Sequence, residues 1–309
     1  MTEELRVGLI GLGEVGLVLA EDLHREGVEL HAWDRLFPVE GSAPRRAAEE
    51  LPFLRAATDM AEAVRDRGIV ISAVTAGECQ AAAAEAAQAL TPNTYYFDLN
   101  SVSPRTKLEA ARTVEAAGGR YVEGAVMSPI APQRIASPIW LGGPHAAAFL
   151  TQARSLGFTG AQVYSGSIGG ASAAKMCRSV IIKGMEALLA ESLLAARRYG
   201  VEDAVLGSLK DLFPVGDWRK LARYMIARSL QHGRRRAEEM REAVRTVAEA
   251  GFEPWMSRGC VERQEWAAEH TEALSHEALT DMLDDVLART PAPQRSPEAA
   301  QRSPGEAHR

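Results

Sequence analysis

Three glycines and one aspartate near the start of the chain have the spacing of a dinucleotide-binding loop. A short apolar strand predicted at residues 7–10 runs into Gly11, Gly13 and Gly16, and a helical pattern follows. In such a loop the first glycine permits a tight turn, the second lets the backbone approach a pyrophosphate and the third allows close helix packing. A second strand ends at Asp34, where a ribose-binding carboxylate is expected.

The chemistry of this loop favours a nicotinamide dinucleotide. Free N–H groups and the positive dipole at the start of the helix would hold the phosphates. A carboxylate at Asp34 accepts hydrogen bonds from a ribose and repels a 2′-phosphate, so we expect NAD, with NADP possible because Arg35 follows it. The residues predicted to contact the cofactor are Gly11, Leu12, Gly13, Glu14, Val15, Gly16, Asp34, Arg35, Val74, Thr75 and Asn100.

A second polar group lies on one arc of a long helix predicted at residues 171–199. Counted from the first, its members stand at offsets 0, 3, 4, 8 and 11, so they share one face: Lys175, Arg178, Ser179, Lys183 and Glu186. A solvated stripe would explain most such patterns. Lys175, however, lies in the first helical turn, where a cation opposes the helix dipole. We therefore favour a lysine that faces a ligand cleft.

The elements that position these residues change character along the chain. Strands are predicted at residues 7–10, 29–33, 69–74, 95–99, 121–126 and 139–141, alternating with helices. This alternation predicts an α/β fold, a doubly wound, mostly parallel sheet of Rossmann type whose loops after the strands converge on the ligand. From residue 166 the pattern is helical, with helices at 171–199, 201–212, 218–231, 235–250, 254–269 and 276–287.

The predicted organisation is a dinucleotide-binding domain at residues 1–165, an all-α substrate and dimerisation domain at 166–290 and a disordered tail at 291–309. The tail is rich in Pro, Ser, Gln and charge, so it offers little apolar surface to bury. The long helix has more apolar surface than one neighbouring domain readily covers. We therefore expect a homodimer.

Composition narrows the classes of function. The chain has 309 residues and a net charge of −6, which argues against nonspecific binding to nucleic acid or an acidic membrane. Its three cysteines show no CxxC spacing, so neither a disulfide framework nor a metal site is expected. No basic leader and no apolar run long enough to span a bilayer is evident, and the cytoplasm is the expected compartment.

Over about residues 5–200, the motifs resemble those of β-hydroxyacid dehydrogenases, the superfamily of 6-phosphogluconate and 3-hydroxyisobutyrate dehydrogenases. The matching segments are Gly8-Leu-Ile-Gly-Leu-Gly-Glu-Val-Gly16, Asp98-Leu-Asn-Ser101, residues 121–129 with Gly142-Gly143, and Gly166-x-x-Gly-x-x-x-x-x-Lys175-Met. The resemblance makes Lys175 the catalytic lysine. This sequence departs from the family at three places: Val15 stands where methionine is usual, Ser179 replaces an asparagine, and Met127-Ser128-Pro129 replaces Ser-Gly-Gly. The C-terminal half, with Gly233-Arg-Arg-Arg-Ala-Glu-Glu-Met240, resembles a small helical domain of unknown function found in some bacterial members.

The resemblance implies a set of site residues and an activity. Lys175 and Ser179 are expected to be catalytic, and the expected substrate contacts are Asn100, Ser101, Met127, Ser128, Pro129, Arg178 and Lys183. The expected enzyme is an NAD(P)-dependent oxidoreductase that transfers hydride to or from a small, anionic hydroxy or oxo acid, or a phosphonate-like analogue. Lys175 would be its general acid and base, with a pKa lowered by burial and by the nearby cations Arg178 and Lys183.

Three questions stay open at this point. An imine reductase shares the architecture, although retention of Lys175 counts against it. A noncatalytic dinucleotide sensor is the alternative from another class, favoured by the altered asparagine and Ser-Gly-Gly positions. Arg234, Arg235 and Arg236 either clamp a phosphate or form a solvated face paired with Glu238 and Glu239.

Overall fold

The computed structural model describes residues 6–209 and 216–290. Its centre is one eight-stranded sheet with the strand order β3-β2-β1-β4-β5-β6-β7-β8. The strands are β1 (Arg6–Ile10), β2 (Glu29–Trp33), β3 (Leu54–Ala56), β4 (Ile69–Ser72), β5 (Tyr95–Asp98), β6 (Arg120–Val126), β7 (Ile139–Gly142) and β8 (Ala161–Ser165).

Every neighbouring pair of strands is parallel except β6 and β7, which run antiparallel. The predicted α/β fold with a doubly wound sheet is therefore confirmed. The sequence pattern did not predict β3 or β8. β3 has three residues, and the three central residues of β8 are exposed, so neither shows the buried apolar run by which the other strands were identified.

Seven helices connect the strands, and their ends follow local capping chemistry. They are α1 (Glu14–Arg25), α2 (Ala43–Glu50), α3 (Met60–Val64), α4 (Cys79–Ala87), α5 (Pro104–Ala116), α6 (Ile130–Gln133) and α7 (Ala146–Ser155). The Ser103 side chain caps α5 and Pro104 opens it, which satisfies a terminal N–H and sets the first helical φ. Two clusters of buried apolar side chains, including Leu9 and Tyr96, form the core of this part.

After β8 the described residues form helices only. These are α8 (Gly170–Tyr199), α9 (Glu202–Ser208), α10 (Trp218–Glu249), α11 (Trp255–Ala267) and α12 (Leu279–Arg289). The all-α prediction for the second part is confirmed, and α8 lies within one residue of its predicted bounds.

The helices predicted at 218–231 and 235–250 are both present: they meet within α10 at a kink, where His232 leaves helical geometry, with φ −122° and ψ 15°. Two other helix predictions had a wrong boundary. The helix predicted at 276–287 begins at Leu279 and is preceded by a short 3₁₀ segment, Thr271–Ser275. The helix predicted at 201–212 ends at Ser208, and residues 210–212 lie outside the described residues.

By contact density the chain divides into two compact units. The first contains Met1–Gly184 and Arg234–Arg263, and the second contains Met185–Gly233 and Gln264–Arg309. The first unit therefore combines the sheet with the first half of α8 and with the second half of α10. The domain division at residues 165 and 290 stays a prediction, and the tail predicted at 291–309 lies outside the described residues.

Two features are absent from the described residues, a membrane-spanning helix and a cluster of metal-binding side chains. None of the helices at residues 6–209 and 216–290 is both long and apolar enough to cross a membrane. Within the same ranges, no three His, Cys, Asp or Glu side chains are placed to hold a metal ion.

Candidate functional site

The loop after β1 has the backbone geometry that its glycines predicted. Gly11 has a φ of +92°, a conformation that side chains disfavour. A Cβ on Gly16 would lie 2.0 Å from the Gly11 carbonyl oxygen, so α1 can only approach the loop this closely with glycine there. A Cβ on Gly13 would meet no atom within 4 Å. The loop therefore leaves open the space in which a pyrophosphate would approach the start of α1, and it fits a dinucleotide.

The Asp34 carboxylate is held at this loop by backbone hydrogen bonds. Oδ2 accepts the N–H of Leu12 at 2.9 Å, and Oδ1 accepts the N–H of Leu36 at 2.9 Å. Each carboxylate oxygen keeps further acceptor capacity, so a ribose hydroxyl can still bind. Arg35 is exposed and its guanidinium lies 3.5 Å from Glu78. The predicted residues Asp34 and Leu12 are therefore in direct contact beside the turn.

The loops after β1, β4 and β5 are joined by hydrogen bonds. The Asn100 Oδ1 accepts the N–H of Val74 at 2.7 Å, and its Nδ2 donates to Ser72 Oγ at 3.0 Å. The N–H of Ala73 donates to the carbonyl of Ile10 at 2.8 Å. Asn100, predicted to contact both cofactor and substrate, is thus held at the carboxyl ends of the central strands, where ligands of such sheets bind.

A buried ion pair beneath Asn100 was not recognised from the sequence. Lys107 Nζ lies 2.9 Å from Asp98 Oδ1, and both side chains are fully buried. Asp98 also accepts hydrogen bonds from the Tyr121 hydroxyl at 2.5 Å and from the N–H of Asn100 at 2.8 Å. Burial, together with the Asp98 charge, raises the pKa of the Cys79 thiol well above its ordinary value. Nothing local marks Lys107, since a lysine on an amphipathic helix is ordinarily solvated.

The helix that carries Lys175 is capped by a carboxylate from the sheet. Glu123 on β6 is fully buried and accepts the N–H groups of Gly169 and Ser172, each at 2.7 Å. A carboxylate at this end complements the helix dipole and satisfies two terminal N–H groups. A Cβ on Gly142 would lie 2.3 Å from the Glu123 Oε2, so glycine in β7 makes room for the cap. The sequence reasoning missed Glu123, which lies within the segment that resembled the family.

Lys175 and Ser101, predicted separately, are in direct contact. The Lys175 Nζ donates to Ser101 Oγ at 2.5 Å, and the lysine is only partly exposed. Burial lowers the pKa of Lys175 to about 8, and Glu239 opposes this effect. Lys183, Lys107 and Arg235 add to the lowering. An amine with a pKa near neutrality can both give and take a proton, which a general acid and base requires.

The rest of the stripe divides into buried and exposed members. Ser179 is 6% exposed, Lys183 is 8% exposed and Glu186 is 2% exposed, so a solvated stripe does not describe this face. Lys183 Nζ lies 3.2 Å from Ser179 Oγ and 2.6 Å from Glu239 Oε2. Arg178 is exposed. Arg178 was also expected to lower the pKa of Lys175, but the cations that do so are Lys183, Lys107 and Arg235.

The three arginines at residues 234–236 also include both exposed and buried side chains. Arg235 pairs with Glu239 at 2.8 Å, as its i, i+4 spacing indicated, and its guanidinium lies 3.7 Å from Glu14 in the first turn of α1. Arg234 is exposed and Arg236 is buried. Arg235 therefore reaches the start of α1, next to the cofactor loop.

The segment Met127-Ser128-Pro129, predicted to contact the substrate, follows β6, whose parallel neighbour β5 leads into Asn100 and Ser101. The N–H of Met127 donates to the carbonyl of Pro138 at 2.9 Å. Ser128 Oγ is buried without a partner in the part of the chain that the structure describes. Thr75 is exposed at the start of a short 3₁₀ segment, and Val15 packs against the core.

Comparison with family models identifies this arrangement. Residues 6–177, more than half of the chain, match the NAD-binding domain of 6-phosphogluconate dehydrogenase. The chain belongs to the β-hydroxyacid dehydrogenase family. Residues 196–267 match a second model, the domain of unknown function DUF1932. Family membership accounts for a glycine loop, an Asp-Leu-Asn-Ser segment and a lysine helix within one compact unit.

Three relatives show how far the likeness extends. The solved structure of a conserved hypothetical protein from Sinorhizobium meliloti 1021 is 33% identical, has a TM-score of 0.72, and covers 94% of this chain and 98% of that protein. A second solved structure is that of a conserved protein of unknown function, reported as structurally similar to 3-hydroxyacid dehydrogenases. It is 32% identical, has a TM-score of 0.67, and covers 86% of this chain and 97% of that protein. Human mitochondrial 3-hydroxyisobutyrate dehydrogenase is 25% identical over 209 residues, 67% of this chain and 61% of that enzyme.

Proposed function

We propose that this protein is an NAD(P)-dependent oxidoreductase that transfers hydride between a nicotinamide cofactor and a small hydroxy or oxo acid, with Lys175 as general acid and base. The contact between Lys175 Nζ and Ser101 Oγ carries this proposal. It places an amine of lowered pKa beside the loop that follows β5, on the cofactor side of the sheet. Membership of the dehydrogenase family supports it.

The protein's part in the chemistry is to move one proton and to orient the reacting oxygen. The cofactor, when bound, supplies or accepts the hydride at its nicotinamide ring. In oxidation the neutral amine of Lys175 takes the proton from the substrate hydroxyl, and in reduction its ammonium returns the proton to the new alkoxide oxygen. Ser101 contacts that amine, and Ser179 lies one helical turn after Lys175 on α8. Both hydroxyls are hydrogen-bonding groups of the right type to hold the oxygen.

The cofactor choice within this proposal is NAD. Asp34 is supported by the Leu12 and Leu36 N–H groups, which keep its charge at the position where a 2′-phosphate would have to bind. Arg35 is turned toward Glu78, so its charge is partly compensated there. We expect kcat/KM to be higher for NAD(H) than for NADP(H).

The substrate is expected to be anionic. Lys175 and Lys183 share a face of α8, and the exposed Arg178 adds a third positive charge. A carboxylate or phosphonate on the substrate would be attracted to this group of cations. We also propose that the protein assembles as a homodimer, since the apolar side chain of Ile181 on α8 is 64% exposed.

The decisive experiment has two stages. Binding of NADH and of NADPH is first measured by nicotinamide fluorescence, and turnover is then assayed across panels of hydroxy acids, oxo acids, phosphonate analogues and imines. Tight binding with hydroxy or oxo acid turnover supports the proposal. Turnover of imines alone assigns the protein to the imine reductases, and binding without turnover in any panel makes it a dinucleotide sensor.

A further inference from the structure

Beyond Lys175, the same face of α8 carries a second ammonium group, that of Lys183, which has one partner on α10 and one on α8 itself. Lys183 Nζ lies 2.6 Å from Glu239 Oε2 on α10 and 3.2 Å from Ser179 Oγ one turn earlier on α8. Glu239 Oε1 in turn accepts from Arg235 at 2.8 Å. Holding a nearly buried lysine in this way is costly unless its charge is paired and its donors are used. The contacts with Glu239 and Ser179 therefore meet the requirements for burying the Lys183 charge.

The order of donors and acceptors in this group follows from chemistry. An ammonium group donates hydrogen bonds and cannot accept them, so Ser179 Oγ accepts from Lys183. The hydroxyl hydrogen of Ser179 makes no hydrogen bond to any residue that the structure describes, and so it is available to an oxygen of a bound molecule. A hydroxyl that accepts from a cation is also polarised into a better donor.

The charges around Lys175 act in opposite directions. Glu239 on α10 raises the pKa of Lys175, whereas Lys183 on α8, Lys107 on α5 and Arg235 on α10 lower it. Burial tends to raise the pKa of Glu239 itself, but Lys183, Arg235 and Lys175 outweigh burial and lower it to about 2. Glu239 is consequently ionised throughout the range in which Lys175 titrates.

We propose that Glu239 is a positioning residue that fixes Lys183 against Ser179, so that Ser179 presents its hydroxyl hydrogen to the oxygen at which Lys175 transfers a proton. The proposal rests on the role of Lys175 proposed above. It assigns the site to substrates with an acceptor oxygen at the reacting carbon, because Lys183 occupies one acceptor position of the Ser179 hydroxyl and leaves its hydrogen to donate. It also predicts that Glu239 and Lys183 influence Lys175 with opposite sign.

The test measures the titration of Lys175 in the protein without substrate or cofactor. Trace labelling with acetic anhydride, followed by peptide mass spectrometry, reports the neutral fraction of each lysine from about pH 6 to about pH 10, a range that brackets the expected and ordinary values. Glu239→Gln should lower the pKa of Lys175 by about one unit and Lys183→Met should raise it by about one unit, the usual scale for a nearby charge. Glu238→Gln, an exposed neighbour on the same helix, is the matched control and should leave it unchanged.

A double variant distinguishes the effect of these charges on the pKa of Lys175 from a loss of folded structure. Glu239→Gln leaves the Lys183 charge buried and unpaired, whereas Lys183→Met with Glu239→Gln replaces both charges by neutral side chains of similar length. In the double variant the pKa of Lys175 should lie between those of the single variants, with the thermal melt followed by circular dichroism as the check on folding. Single-variant shifts of the same sign, or none, would overturn the proposal.

Turnover supplies the second readout once a substrate is known. Glu239→Gln should lower kcat and shift the pH profile, and should leave the cofactor affinity unchanged, while Glu239→Asp should restore part of kcat. A structural role alone would lower the melting temperature without moving the pH profile. Because the labelling needs no turnover, a protein that binds the cofactor but catalyses nothing would refute the proposed function and still allow this test.

Discussion

The cofactor loop and the lysine face of α8 are two ends of one candidate site, and they are built in different ways. The loop is made from backbone: a positive φ at Gly11, a close approach at Gly16 and open space at Gly13. The lysine face is made from side chains that meet across elements, with Ser101 from the sheet side and Glu239 from α10. The first kind of geometry is encoded within a few consecutive residues, whereas the second depends on packing.

The largest expected effect falls on the lysine face. Lys175→Ala should lower kcat by roughly 100-fold or more, the usual scale for a lost general acid and base, and should leave cofactor affinity nearly unchanged. Lys175→Arg should not rescue it, because an arginine does not give up its proton. In the wild type, kcat/KM for oxidation should rise with pH toward a plateau above about 8, and kcat/KM for reduction should fall above about 8, because the two directions need the neutral amine and the ammonium.

Steady-state kinetics and a fluorescence titration of NADH check this prediction. Near-wild-type turnover in Lys175→Ala would remove the lysine from the mechanism and leave the loop as the functional end of the site.

The loop should respond to alanine in a position-dependent way. Gly16→Ala would place a Cβ against the backbone carbonyl of Gly11, so the turn must shift, and the melting temperature and NADH affinity should both fall. Gly13→Ala has free space in the protein alone, so it should melt like the wild type and lose only NADH affinity, by about tenfold or more, since its Cβ would stand where the pyrophosphate approaches.

A thermal melt and an NADH titration on the two variants separate these outcomes. If Gly13→Ala bound NADH as tightly as the wild type, the phosphates would not pass over this part of the loop.

The smallest effect is expected at Glu123, the residue of β6 that caps the helix carrying Lys175. Glu123→Gln retains one acceptor for the start of α8 but turns an amide N–H toward a backbone N–H, so it should cost about 1–3 kcal/mol of unfolding free energy. kcat should fall only slightly, because Lys175 stays on an otherwise intact helix. Urea unfolding measures the change, with Glu85→Gln, an exposed carboxylate on α4, as the control. Equal stability of the two variants would show that the cap is dispensable.

Several features of this protein could be read from short stretches of sequence. The glycine loop, Asp34, most of the strands and nearly the whole of α8 follow from periodicity and from spacing within about 20 residues. These features depend on steric rules and hydrogen bonds that act between near neighbours, so the tertiary structure shows the strands and α8 with small shifts of boundary and the glycine loop with the expected backbone geometry. Resemblance to a family then pointed to Lys175 and Ser101.

Other features were decided only by tertiary structure. The buried pair of Lys107 and Asp98, the cap from Glu123 and the contact between Lys183 and Glu239 join residues far apart in the sequence. No local pattern marks them, because the same residue types on a helix surface are ordinarily solvated. Burial removes competing water at these contacts and strengthens each charge. The sequence determined which groups are present, and packing determined which of them are brought together and at what pKa.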